Sequence, residues 1–509
     1  MKIRLGLLFA FLILCRPAGA AAGDGRAIRL GELPLLFVDD GGIETRRDLV
    51  RRIHPGQSLA QPVLQPELPW EGERVYVFGT VRFNPEKKFF EMWYVGLPSR
   101  GEVLADTAKV HVAGFKEGGA TLQLYATSPD GKKWDRPNLG LHEFAGSKQN
   151  NIIFDLDSPT VIVDAFEKNP AHRYKMVGAS GRNYYSATSP DGLTWAYRPA
   201  SGAPIFPYSD TITMAQDPVN GEFLVYLKKP QVVRGFDRRV VWLSRSRDFV
   251  TWSEPHLVLS PDEIDDLWVT RPGERTEFYN MSVFAHAGGF IGLPTVLRVE
   301  YQLPRSAVGK GQSPIAGPID VEIASSLDGA HWQRSWPRSN VIPHGAPGTF
   351  NGGAILGLAS SPVNAGKETW VYYTVLTTNH GGPMPPKRIS IARADWRRDG
   401  FVSLDAGPEG GRLETKPLRL ASARLVVNAD ARRGAVRAGL VEADGRAIAG
   451  LGLADSVPLT TDSISGLMRW KSGALPPADR PIRVLLELTS TRLFSLGTHD
   501  YSQDPNAAQ

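Results

Sequence analysis

The chain has 509 residues, 42% of them hydrophobic and 22% charged, with 58 Lys and Arg against 53 Asp and Glu for a formal net charge of +5. That balance belongs to a globular chain and excludes a disordered one, and the length favours two domains over one core. The positive excess is small and contains no long block of like charges, which excludes a nucleic-acid surface.

At the N-terminus Lys2 and Arg4 precede an apolar run, 5–15, too short to span a bilayer. Ala18, Gly19 and Ala20 form a small-residue cleavage site, with Ala20, Ala21 and Ala22 as a second. The sequence thus predicts a signal peptide over 1–22, cleaved near Ala20 or Ala22, and a secreted or periplasmic protein. Cys15 is the only cysteine and lies in this leader. A lipoprotein would carry its lipid there, but Leu14 stands where a small residue is usual. No disulfide is expected in the mature chain, and no later stretch is long and apolar enough for a membrane span. Residues 23–59 are set apart as an N-terminal extension.

The composition favours short strands: the chain's 52 Gly and 39 Pro supply turns, and its 12 Trp, 14 Tyr and 21 Phe supply strand residues. One unit recurs about every 60–80 residues. Its copies are Ser128, Asp130, Gly131 and Trp134; Ser189, Asp191, Gly192 and Trp195; Ser246, Asp248 and Trp252; and Ser326, Asp328, Gly329 and Trp332. Arg393, Asp395 and Trp396 suggest a degenerate fifth. Asp and Gly suit a tight turn, because the carboxylate accepts backbone N–H groups and Gly takes positive φ.

An apolar strand precedes each turn, at 122–126, 184–187, 240–243 and 321–324. Two more strand candidates precede each of these. They fall at 75–83 and 89–95, 160–164 and 174–178, 212–216 and 222–227, 281–286 and 290–297, and 354–359 and 369–375, with a last strand near 389–394. Three or four strands per unit, five times over, predict an all-β chain: a five-bladed β-propeller over 60–405. Strands at 425–428, 436–440, 484–488 and 492–494, with a turn at Asp444 and Gly445, predict a small C-terminal β-sandwich over 406–497. The tail, 498–509, is polar.

In a propeller the innermost strands line a central funnel, and sites gather at their ends. At those positions stand Trp70, Glu71 and Glu73 in blade one, Asp157 in blade two, Asp210 in blade three, Glu277 in blade four and Asn351 in blade five. A shared pocket drives neighbouring carboxylates apart in pKa, which is what glycosidic cleavage requires of its acid and its base or nucleophile. Asp157 and Asn351 suit gripping of sugar hydroxyls. Arg239, Tyr279 and Trp70 suit sugar rings and their substituents, and His54 is a further candidate. No His-rich or cysteine metal set, phosphate loop or serine-nucleophile elbow occurs.

The repeated turn resembles the Asp-box hairpin of sialidases. The whole resembles the five-bladed propeller glycoside hydrolases of the invertase, arabinanase and levansucrase clan. More closely, it resembles bacterial proteins similar to the family 32 N-terminal domain. The carrying residues are Leu36 to Asp40, Trp70 and Glu71, Glu91 to Tyr94, Glu277 to Met281 and Asp399 to Asp405. The resemblance implies Glu277 as general acid, Asp210 as the supporting carboxylate, and Glu71, or Asp39 or Asp40, in the blade-one role. The clan's Trp-Met-Asn-Asp-Pro-Asn-Gly, Arg-Asp-Pro and Glu-Cys segments are absent, which argues against a fructan substrate. A carbohydrate partner is expected; no cofactor is required, although the fold permits a structural Ca2+. The alternative is a non-catalytic propeller binding glycans or proteins.

Overall fold

The computed structural model describes residues 27–98, 112, 115–116, 121–208, 210–309 and 312–501. The leader over 1–22, with Cys15 and both cleavage sites, lies outside the described residues. No described helix is long and apolar enough to cross a membrane.

The described chain is all β apart from single-turn helices. Five antiparallel sheets follow one another, each a meander whose first strand lies innermost. Sheet one holds Val75–Tyr76 and Val81–Asn84, then Phe89–Gly96, Leu122–Ser128 and Ile152–Phe154. Sheet two holds Asp157–Val163, Tyr174–Ser180, Asn183–Ser189 and Ala196–Arg198. Sheet three holds Ile212–Gln216, Phe223–Val233, Phe236–Ser246 and His256–Leu259. Sheet four holds Arg275–His286, Gly289–Val299, Ala324–Ser326 and Gln333–Arg334. Sheet five holds Ala354–Leu358, Glu368–Leu376 and Ile389–Arg397, and its outer strand is Gln57–Ser58. Each sheet packs on the next and the fifth packs on the first, so the arrangement is a propeller-like ring.

Hydroxyl groups stitch the inner strands across the gaps between sheets. Thr374 Oγ1 accepts from Val77 N (2.8 Å) and donates to Val77 O, joining sheets five and one. Thr80 Oγ1 bonds both Val161 N and Val161 O at 2.9 Å, joining one and two. Tyr184 Oη reaches Thr211 O and Lys228 O, joining two and three. Thr213 Oγ1 donates to Met281 O at 2.6 Å and Ser282 Oγ to Leu358 O at 3.1 Å, which completes the circuit. These small side chains satisfy buried backbone groups that no ladder partner reaches.

The repeated turns act as rivets. In the second copy Asp191 Oδ1 accepts the N–H groups of Leu193 and Thr194, both at 2.8 Å, and Ser189 Oγ accepts from Gly192 N. The other three copies repeat the aspartate bonds. The turn's own carbonyl then docks on the preceding sheet. Gly131 O accepts from Tyr372 Oη, Gly192 O from Trp93 Nε1 and Gly329 O from Tyr226 Oη. All three glycines have positive φ, and a Cβ on Gly131 would stand 2.6 Å from Trp370 and Tyr372. Phe249 takes the glycine's place in the third copy, at φ 61. Asp395 forms no such turn: it pairs with Gln57 inside a continuous strand. Sheet five draws its outer strand from residues before the ring, so no hairpin is needed there.

Two six-stranded sheets make up the rest. One combines Gly411–Thr415, Leu418–Leu420, Ala435–Glu442 and Pro481–Thr489 with Ile28–Leu30 and Ile43–Arg47. The other combines Val402–Ala406, Val426–Asp430, Asp462–Leu467 and Thr491–Gly497 with Leu35–Leu36 and Leu49–Ile53. Alternation dictates the facing: along Pro481–Thr489, Ile482, Val484, Leu486 and Leu488 are buried and the residues between them are not. They meet Leu30, Leu35, Phe37, Ile43 and Leu49 in one core. The stretch set apart as an extension, 23–59, therefore supplies strands to both of these sheets and one to the ring. Val402–Ala406, assigned from sequence to the ring, lies in a six-stranded sheet. The sequence misses these pairings because their partners lie hundreds of residues away.

Asp191→Ala leaves two backbone N–H groups without their acceptor and should cost about 1–3 kcal/mol, read as a lowered unfolding temperature with an unchanged circular dichroism spectrum. Deleting 27–58 removes seven buried core side chains, Leu30, Leu35, Leu36, Phe37, Val38, Ile43 and Leu49, and the outer strand of sheet five. That variant should give no soluble folded protein on size-exclusion chromatography.

Candidate active site

A cup of about 380 Å³ opens where the innermost strands begin, within the usual size of small-molecule sites. Strict alternation would send every second residue inward; bulges add to that set. Sheet four has an extra residue between Phe278 and Asn280, and that residue, Tyr279, lines the cup. Sheet five has one between Ile355 and Gly357, and Leu356 lines it too. In sheet two the register shifts between Asp157 and Thr160, and Ser158 sits at φ 50, in the left-handed region. Asp157 and Ser158 both face the cup as a result. Bulges re-aim side chains in this way, and backbone strain on a non-glycine residue gathers at functional positions.

Two carboxylates meet here in unlike settings. Asp157 is half-buried on the wall and accepts a bond from Ser158 Oγ at 3.2 Å. Loss of water, and then the charge of Asp210, push its carboxyl up to about 7. Asp210 has its side chain 57% exposed, and Lys228 Nζ stands 2.5 Å from its Oδ1. Lys228 is buried, which lowers its pKa, while Asp210 opposes that shift. Its ammonium also lies 4.0 Å from the centre of the Tyr279 ring, a cation–π contact. Burial first, and then the charge of Asp210, thus favour the proton on Asp157, while Asp210 itself faces the Lys228 ammonium.

Arg239 completes this wall. Its Nη1 lies 2.5 Å from Glu277 Oε2, and Arg275 Nε lies 2.7 Å from Glu277 Oε1. Arg74, Tyr76, Lys387 and His380 also line the cup, and the His380 ring lies 5.2 Å from that of Tyr279. His380 Nδ1 bonds Ile315 O at 2.8 Å, which places the ring proton there and leaves Nε2 an acceptor. Burial, and then Arg239, push its pKa down to about 3, so the ring is neutral.

Asp157, Asp210, Arg239 and Tyr279 are thus brought together. Glu277 is 1% exposed and lies behind Arg239, both oxygens held by guanidinium groups, so it cannot offer a proton to a ligand without breaking an ion pair. Glu71 is fully buried away from the cup. It accepts from Tyr94 Oη, Arg136 Nε and the backbone N–H groups of Glu67 and Leu68, closing its own loop. Trp70 donates to Asn151 beside Phe144. Asp40 pairs with Arg46 and Arg51, and Asp39 accepts from Gly41 N. His54 bonds Ser403 against Phe494. Asn351 bonds Thr349 ahead of the inner strand of sheet five. None of these lines the cup.

The sequence reading missed Lys228, Arg74, Lys387 and His380. A signal existed for Lys228, which with Lys229 follows the apolar run 223–227. No group of three His, Cys, Asp or Glu side chains fit to hold a metal occurs among the described residues. The Lys228 ammonium stands against Asp210 where a cation would, so the cup does not suit a Ca2+.

No family model and no curated protein matches this sequence. Solved structures similar to it include propeller glycoside hydrolases of families 62 and 32. A Coprinopsis cinerea family 62 α-L-arabinofuranosidase domain shares 10% identity over 67% of this chain and 97% of its own, with a TM-score of 0.40. A fructofuranosidase from Schwanniomyces occidentalis, complexed with fructosylnystose, shares 10% over 86% of this chain and 96% of its own, with a TM-score of 0.39. An Aspergillus awamori exo-inulinase shares 10% over 87% and 99%, with a TM-score of 0.36.

The raised Asp157 carboxyl has a sign that stability can read. Its folded pKa exceeds its unfolded one, so the folded state gains from the proton below the unfolded value and loses that gain as pH rises through about 7. Asp157→Asn removes the buried charge. The variant should melt a few degrees above the parent at pH 8 and close to it at pH 4, by scanning calorimetry.

Proposed function

We propose that this protein is a glycosidase whose general acid is Asp157 and whose base or nucleophile is Asp210. The observation that carries this reading is the unequal carboxylate pair: one carboxyl holds its proton to about pH 7, and the other is paired with Lys228. In the reaction Asp157 passes its proton to the glycosidic oxygen as the bond to the anomeric carbon breaks. Asp210 attacks that carbon, or takes a proton from the water that does. Tyr279, kept protonated by burial and by Asp210, donates a hydrogen bond to the sugar. Arg239 lies against Glu277, which fixes its guanidinium and sets the charge on that wall.

Under the same reading the five sheets are the blades of a five-bladed propeller, and the two six-stranded sheets form a sandwich that includes 28–53. The chain acts outside the cytoplasm on an oligo- or polysaccharide. Glu277, given the acid's role by family resemblance, becomes a positioning residue for Arg239.

The test is hydrolysis of a broad glycan panel. Asp157→Asn should lower kcat by roughly a hundredfold or more, and Asp210→Asn likewise, in folded protein. Because the acid must carry its proton, kcat should fall about tenfold per pH unit above about 7. Full activity in Asp157→Asn would refute the assignment. Tight binding without turnover by the parent would leave the glycan-binding alternative.

A further inference from the structure

Resting on the glycosidase reading, we propose that a groove beside the cup holds further units of the sugar chain against the rings of Phe236 and Tyr301. The groove measures about 600 Å³ and lies between sheets three and four. Phe236 opens the third strand of sheet three, just past the turn that follows Val233. Tyr301 stands just past Gly289–Val299, the second strand of sheet four, and pairs with Ala316. Arg275, which begins the inner strand of sheet four, forms the side towards the cup.

One ion-pair wall divides the two cavities. Arg275 lines the groove, and its Nε stands 2.7 Å from Glu277 Oε1. Arg239 lines the cup, and its Nη1 stands 2.5 Å from Glu277 Oε2. A single carboxylate therefore joins a residue of each cavity. A ligand that reaches past Arg239 on this side meets the groove next.

Both rings are exposed, Phe236 by 36% and Tyr301 by 46%. The guanidinium carbons of Arg238 and Arg275 lie 5.4 and 5.7 Å from the centre of the Phe236 ring. Asp266 holds Arg238 in turn, at 2.8 Å. An aromatic side chain already fixed in place loses little conformational freedom when a ligand packs on it. The C–H face of a sugar ring suits such a surface. The described lining carries two basic residues, Arg271 and Arg275, and two acidic ones, Asp237 and Glu300. That balance favours neutral hydroxyl groups, which both donate and accept, over an ion of either sign.

Binding is measured by calorimetry on Asp157→Asn, which separates affinity from turnover. The probes are arabino-, xylo-, galacto- and fructo-oligosaccharides, each as a ladder from disaccharide to hexasaccharide. At least one ladder should tighten by about tenfold or more from its shortest to its longest member. Tyr301→Ala and Phe236→Ala in that background should each lower this ratio by about threefold or more, and Tyr301→Trp should restore it. Affinity that is flat with length in every ladder would overturn the proposal, as would no binding of any probe. A ratio that both alanine variants leave unchanged in folded protein would overturn it too. If Phe236→Ala fails to fold, the surface variant Tyr301→Ala decides. Length-dependent binding that answers to Tyr301, in a protein whose parent hydrolyses nothing, would sustain the groove and sink the glycosidase. Hydrolysis by the parent with flat binding would do the reverse.

Discussion

The ring depends on closing five sheets around an axis where no two inner strands are near enough to form a ladder. Each inner strand therefore has one edge facing a gap, with backbone groups that must find partners away from water. Thr80, Thr213 and Ser282 meet that demand with one hydroxyl each, and Thr374 and Tyr184 do so from strands farther out. A larger side chain would hold the strands apart, and an alanine would leave the groups unpaired. The hydroxyl circuit ties each sheet to the next around the ring.

Given that frame, the cup is made by breaking regularity at the start of the strands. Tyr279, Leu356 and the Asp157–Ser158 pair face the axis because their strands carry a bulge where the partner has none. Beyond the bulges the same strands return to register. Chemistry and packing thus occupy successive stretches of one strand. The positive φ of Ser158 marks where the change is made.

How much of this could be read from sequence follows from how local each feature is. The Ser-Asp-Gly-Trp turns were legible, because the serine and aspartate bonds that shape them span three residues or fewer, as between Asp191 and Thr194. That Asp157 and Asp210 stand at the start of inner strands was also legible, since it needs only strand order. What was not legible is side-chain direction. Glu71 holds a position comparable to Asp157, yet it turns back on its own loop because Arg136, from a distant turn, arrives to meet it. The cations were passed over because paired basic residues, Lys228 with Lys229 and Lys387 with Arg388, read as surface. Only the assembled ring shows Lys228 and Lys387 to be buried. The strands from 28–58 were invisible because their partners lie at the other end of the chain, as the bond between Thr498 and Leu30 across 468 residues shows.

That same wrap fixes the order of events during synthesis. The segment bearing His54, Gln57 and Ser58 emerges early, but its partners, Asp395 and Trp396, come much later, with 342 residues separating His54 from Trp396. At about 5–20 residues per second, the early strand waits on the order of tens of seconds with its hydrogen-bonding edge uncovered. The first sheet in turn has no neighbour on one flank until the last is made. Completion is therefore a late, single event for the entire chain, and a premature stop anywhere before residue 397 leaves an open arc rather than a smaller working protein.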